Sequence, residues 1–206
     1  MEPPRDEAEL RERLGRLAGR RLIDLAADHG VALKANKGWA GMLVEKALGA
    51  TAASRAEPDF PRLGIELKTI PIDERGRPIE SCFVASLDLG TFDLRWETSP
   101  VRKKLERVAW VPVEAFGERR CGIAFLWSPS DEERSTLQGD YEDIVDLLGV
   151  GARVTARTGT WLQLRPKGRD SRHLRWALDE EGGLSRAPPR AFYLRRSFTA
   201  ALLAAR

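Results

Sequence analysis

Residues Glu57–Thr69 read EPDFPRLGIELKT, and the second half of this stretch alternates. Leu63, Ile65 and Leu67 are apolar, while Glu66 and Lys68 are charged. A period of two is the signature of a strand, whose successive side chains point to opposite faces. Glu66 and Lys68 therefore share one face and Leu67 takes the other. Asp59 stands just upstream, directly after Pro58. A strand with apolar character carries two acids and a lysine around one point.

Outward from this strand the chain alternates between helical and extended patterns. Residues 6–28 predict two short helices, with Leu10, Leu14 and Leu17 and then Leu22, Ile23, Leu25 and Ala26 at helical spacing. Residues 36–48 predict a third helix, capped by Asn36 and closed by Gly49. Strands are expected at 63–72 and 80–88, joined by a turn at DERGRP (73–78). Ser99 and Pro100 supply an N-cap and first helical residue for a helix through Arg107. Strands are expected at 108–113, 121–127 and 161–166, and an extended piece at 191–194. Helices are expected at 130–148 (capped by Ser130), at 171–178, and after a Ser197 cap. This mixture predicts an α/β or α+β chain with a mixed sheet.

The 206 residues are 42% hydrophobic, enough for a sizeable core. No run of 18 apolar residues suggests a membrane span. The start, MEPPRDEAELRERL, lacks the apolar stretch of a signal peptide. Cys82 and Cys121 sit in apolar contexts and are expected to be reduced core thiols of a cytoplasmic protein. The net charge of +3 hides an asymmetry. Residues 1–150 carry 22 basic and 27 acidic side chains; residues 151–206 carry 12 basic and 4 acidic. A basic end suits a polyanion such as nucleic acid, or simply a solubilising surface.

Two carboxylates and a lysine at one strand suit metal-assisted phosphodiester hydrolysis. Carboxylate oxygens are what Mg²⁺ prefers, and a lysine beside the attacking water can orient it. Asp59, Glu66 and Lys68 fit D-x(6)-E-x-K, and Pro58–Asp59 supplies the PD of the PD-(D/E)xK nuclease pattern. A surface strand with a salt-bridged Glu–Lys pair is the other reading of the same residues. Glu45, in an apolar helical stretch, needs a partner if it turns inward. A metal centre is one partner, and Lys46 or Lys37 is another. Lys104, in the cluster Arg102–Lys103–Lys104, belongs either to the same site or to a solvated face.

Longer blocks carry a resemblance. NKGWAGMLVEKALGA (36–50), EPDFPRLGIELKTIPID (57–73), WETSPVRKKLERVAWVPVE (96–114), LWSPSDEE (126–133), LQLRPK (162–167) and FYLRRSFTAALLA (192–204) together resemble the MutH family of mismatch-repair endonucleases. The similarity runs in order from about residue 20 onward. It implies a single endonuclease domain over 1–206 with a restriction-endonuclease-like fold, a central mixed sheet flanked by helices and a DNA cleft between two arms. Its catalytic core would span roughly 30–130 and its basic recognition arm roughly 151–206. It implies a Mg²⁺-dependent enzyme, with one or two ions, that nicks the unmethylated strand at hemimethylated GATC sites. A MutL-type activator with MutS upstream, a monomeric state and a bacterial cytoplasm follow from the same resemblance. A stand-alone GATC-type restriction endonuclease is the alternative.

Carried over by position, the catalytic residues fall on Asp59, Glu66, Lys68, Glu45 and Lys104. The metal ligands fall on Asp59, Glu66 and the Leu67 carbonyl. The DNA-binding residues fall on Lys37, Phe83, Arg165, Pro166, Lys167 and Tyr193. Arg165 would read a guanine, and Tyr193 would sense the adenine methyl group. Apart from the resemblance, Phe83 and Tyr193 would be read as packed aromatics.

Overall fold

Leucines at helical spacing open the chain as two helices. α1 (Glu7–Gly15) buries Leu10 and Leu14, and the Asp6 carboxylate caps it by accepting the Glu9 amide at 2.8 Å. α2 (Leu22–Asp28) buries Leu22, Leu25 and Ala26. The computed structural model describes residues 1–34, 38–52, 57–87, 94–155, 157–167, 175–178, 184–187 and 189–205. The expected Asn36 cap and Lys37 lie outside them. α3 (Trp39–Leu48) starts from Gly38, which has φ 93° and offers no side-chain cap, and it ends at Gly49 as expected. Gly49 has φ 80°, and a Cβ there would collide with the Glu2 carbonyl, so glycine is required twice over.

The described residues form two compact units, Met1–Glu80 with Lys104–Ser128 and Ser81–Lys103 with Pro129–Arg206. The first holds a three-stranded mixed sheet. β1 (Glu66–Ile72) runs parallel to the central β3 (Val108–Glu114), and β4 (Phe125–Trp127) pairs antiparallel with β3's other edge. Val108 to Val113 are all buried, the unbroken apolar run of a strand covered on both faces. Leu67, Ala109, Val111 and Val113 join Leu43, Val44, Leu48, Leu10 and Leu14 in one core. The Leu67 face of β1 is thus the helix-facing side, and the Glu66–Lys68 face is the opposite one.

The turn after β1 forms as expected. Asp73 Oδ1 accepts the Arg75 and Arg77 amides, each at 2.9 Å. It closes only a short antiparallel bridge between Ile72 and Pro78, because the next strand, β2 (Cys82–Leu87), pairs in the other unit instead of with β1. The 121–127 strand shortens to β4 plus an isolated bridge between Val113 and Cys121. α4 (Pro100–Leu105) is capped by Ser99, whose Oγ accepts the Arg102 amide at 3.1 Å.

In the second unit, α5 (Asp131–Gly149) opens with a capping box. Ser130 Oγ accepts the Glu133 amide, and Glu133 Oε2 accepts the Ser130 amide. β5 (Leu162–Pro166), the central β8 (Arg190–Leu194) and β2 form an antiparallel sheet. Its inner face carries Leu162, Leu164, Phe192 and Leu194, with Phe192 stacked on Tyr141 of α5 at 5.3 Å. Residues 175–178, expected to be helical, are instead strand β6 (Arg175–Leu178), paired with β7 (Leu184–Ala187). Four residues hold too little periodicity to separate one helical turn from a strand, so the partner strand decides. Ser197 is likewise not the cap of the last helix. α6 (Arg196–Ala204) starts from Arg195, whose amide is held by the Trp161 carbonyl at 2.7 Å.

Candidate active site

β1 opens with Glu66, and three further charged groups gather around it within the first unit. Glu66 and Lys68 project from the same face, and Lys68 Nζ lies 3.1 Å from Glu66 Oε1. Lys104, on α4, reaches the same carboxylate at 2.9 and 3.2 Å. Asp59 lies in the segment before β1, and its Oδ2 accepts the Leu67 amide at 2.8 Å. Its own carbonyl accepts the Thr51 amide at 3.0 Å, which fixes the segment's backbone. Asp59, Glu66 and Lys68 are 8%, 4% and 7% exposed, so this is no salt-bridged surface strand. Beside Lys68 in register stands Trp110, fully buried, which walls the charged face.

Burial pushes the Asp59 carboxyl above its ordinary range, and the Glu66 charge pushes it further. The Leu67 amide and the Lys104 and Lys68 charges pull in the other direction. Burial also raises Glu45, half-buried on α3, and so do Asp59 and Glu66, while Lys104 and Lys68 oppose. Each of these carboxylates is therefore an electrostatic neighbour of the others. Such mutual repulsion is what a bound divalent cation relieves. Asp59, Glu66 and the Leu67 carbonyl offer hard oxygen donors, the set that suits Mg²⁺ rather than zinc. Among the described residues no three His, Cys, Asp or Glu side chains converge as a ready metal cluster. Water and a phosphate oxygen would complete such a coordination shell.

A stability test follows from the raised Asp59. An acid with a raised folded-state pKa favours folding below its unfolded value, and that contribution is lost as pH rises through the folded one. Asp59→Asn keeps an acceptor for the Leu67 amide and is neutral at every pH. In a chelating buffer it is expected to melt above the parent at pH 8, with the gap closing toward pH 4. A lower melting temperature at pH 8 would contradict the burial cost assigned to this charge.

The second unit gathers most of the other expected residues on one sheet face. Tyr193 lies opposite Phe83 and Gln163, and Arg165 lies opposite Ala191. Phe83 and Tyr193 meet edge to face at 5.6 Å, and the Arg165 guanidinium sits 6.0 Å from the Tyr193 ring. Lys167 Nζ sits 5.2 Å from the Phe83 ring. Phe83 is 39% exposed, and Arg165, Pro166 and Lys167 are exposed too, so this face is no apolar core. Two residues the sequence did not single out hold the cations. Arg165 donates to Ser81 Oγ at 2.9 Å and Lys167 to Ser86 Oγ at 2.8 Å. A serine 84 positions away leaves no local signal for such a pairing.

Comparison with known proteins gives this arrangement a context. Residues 48–140 match the family model described as DNA mismatch repair enzyme MutH. The DNA mismatch repair protein MutH of Serratia proteamaculans (strain 568) is 49% identical over 214 residues, covering 98% of this chain and 94% of that one. The protein of the same name from Shewanella sp. (strain MR-7) is 46% identical over 213 residues, covering 98% and 96%. Likeness at this level runs along nearly the whole of both sequences, and the chain belongs to the MutH family of DNA mismatch repair enzymes.

Proposed function

We propose that the protein is the strand-nicking endonuclease of methyl-directed mismatch repair, hydrolysing one phosphodiester in the unmethylated strand at hemimethylated GATC sites. The observation that carries the reading is the buried Glu66 carboxylate held between Lys68 and Lys104, with Asp59 tied to the next residue. Family membership supports it. Among the described residues no helix is long and apolar enough to cross a membrane. The chain would work as a single restriction-endonuclease-like domain, with its catalytic core at roughly 30–130 and its recognition arm at roughly 151–206. It would act as a monomer in the bacterial cytoplasm, its activity released by a MutL-type partner acting downstream of MutS.

Asp59, Glu66 and the Leu67 carbonyl would hold Mg²⁺, as one or two ions. When bound, the metal supplies a Lewis acid that polarises the phosphate and makes water more acidic. Lys68 positions the attacking water and takes part in its deprotonation. Lys104 stabilises negative charge as it builds on the scissile phosphate. Glu45 orders outer water or contributes to a second metal position. Arg165 reads guanine O6 and N7 with its fork, and Pro166 and Lys167 flank that contact. Tyr193 senses the adenine methyl, while Phe83 and Lys37 contact the DNA.

The test is a nicking assay with Mg²⁺ on duplexes holding one GATC, unmethylated, hemimethylated or fully methylated, with and without a MutL homologue. Nicks confined to unmethylated strands and stimulated by the partner are expected. Partner-independent double-strand cutting would overturn the reading in favour of a restriction enzyme.

A further inference from the structure

Asp140 on α5 is 6% exposed, and the proposed chemistry does not use it. Its Oδ1 accepts the Thr160 amide at 2.6 Å, and its Oδ2 accepts the Trp161 and Leu162 amides at 2.6 and 2.8 Å. Three bonds to one ionisable carboxylate meet where β5 begins. Arg195 grips the same turn through its carbonyls. Its Nε donates to the Gly159 carbonyl at 3.1 Å, and its Nη2 donates to that of Thr158 at 2.9 Å. Gly159 has φ 81°, and a Cβ there would strike the Leu162 carbonyl and crowd Asp140 Cγ at 3.3 Å. The close approach of carboxylate to backbone therefore needs glycine.

This turn lies at the end of the sheet where β5 begins and β8 finishes. β5 leaves it toward Arg165, and β8 ends beside it one residue after Tyr193, where Leu194 pairs with Leu162. Leu162 and Leu164 face the core while Gln163 and Arg165 face the other way, beside Tyr193. A one-residue slip would exchange those faces and turn Arg165 inward. The geometry points to Asp140 and Arg195 as positioning residues that lock the register of β5 on β8 and so aim Arg165, setting base discrimination without touching DNA. The inference rests on Arg165 being the base reader proposed above.

Asp140→Asn keeps the size of the side chain but turns an NH₂ group toward a backbone N–H. The experiment measures kcat and KM on the GATC duplex and on one with its guanine replaced. It compares the parent, D140N, R165A and the double variant, at a temperature where circular dichroism shows all four folded. D140N is expected to lower discrimination roughly tenfold, mainly through KM, and to lower it by less than about twofold more once Arg165 is gone. Arg195→Lys, which keeps the charge but loses the fork, is expected to give the same pattern. Equal losses on both duplexes, or an undiminished effect in the R165A background, would overturn the positioning role. Discrimination lost in R165A but kept in D140N and R195K would also overturn it. Discrimination kept in R165A would instead overturn the base-reader reading.

Discussion

Lys68→Ala is expected to lower the nicking rate by about 10³-fold, close to 4 kcal/mol of transition-state stabilisation, while DNA affinity changes little. The reason lies in what the substitution leaves behind. Lys68 is 7% exposed on the Glu66 face of β1, where a water attacking a phosphate would have to be held. Removing it takes away one charged partner of Glu66 but not the other, since Lys104 remains at 2.9 Å. The carboxylate is not stranded, so the fold should survive and the loss should fall on kcat. Lys68→Arg should not rescue the rate, because a guanidinium cannot release its proton near neutral pH. Gel-shift affinity and single-turnover cleavage, measured side by side, separate the outcomes. A parallel loss of binding and cleavage would make Lys68 a structural residue.

Why this strand was legible in the sequence, and other parts were not, has a physical answer. The expected strand loses its start, because Leu63 and Gly64 form a turn, but the alternation from Ile65 to Lys68 survives in the fold because β1 buries an apolar face against helices and keeps a charged one for the site. What alternation alone could not give is the burial of that charged face. Leu63, Ile65 and Leu67 would read the same on a surface strand; Trp110, forty-two positions beyond Lys68, is what walls it in. The caps at Ser99, Ser130 and Gly49 were readable because capping is a local hydrogen-bond pattern. The start of α6 was not, because a tertiary tie of Arg195 to the Trp161 carbonyl sets it in place of the neighbouring serine. The sequence of β6 reads as a helix because its pairing with β7 lies outside any local window. The grouping of Arg165, Lys167, Phe83 and Tyr193 came from the family resemblance. Spacing alone leaves them far apart, and only the β2–β8–β5 register brings them to one face.

Glu66→Ala should be the most damaging single change at the site, to both activity and stability. Glu66 receives Lys68 at 3.1 Å and Lys104 at 2.9 and 3.2 Å, and those side chains are only 6% and 16% exposed. Truncation removes the oxygen pair proposed to hold the metal and takes from two largely buried ammonium groups the carboxylate they share. Breaking a buried pair from one side costs about 3–5 kcal/mol, because the remaining charge is still desolvated. Unlike Lys68→Ala, this substitution removes the carboxylate that both lysines share, so a lower melting temperature must accompany the lost cleavage. The two effects can be pulled apart. Adding Lys68→Met to Glu66→Ala replaces one of those ammonium groups with an apolar chain of similar length, next to Trp110. The double variant should regain part of the stability, with a coupling of about 1 kcal/mol or more between the sites, and no activity. Denaturant unfolding of the parent, the two single variants and the double variant gives that coupling directly. Additive losses would show that Glu66 and Lys68 do not act as a pair in the fold, and recovered nicking in the double variant would remove both from the catalytic centre.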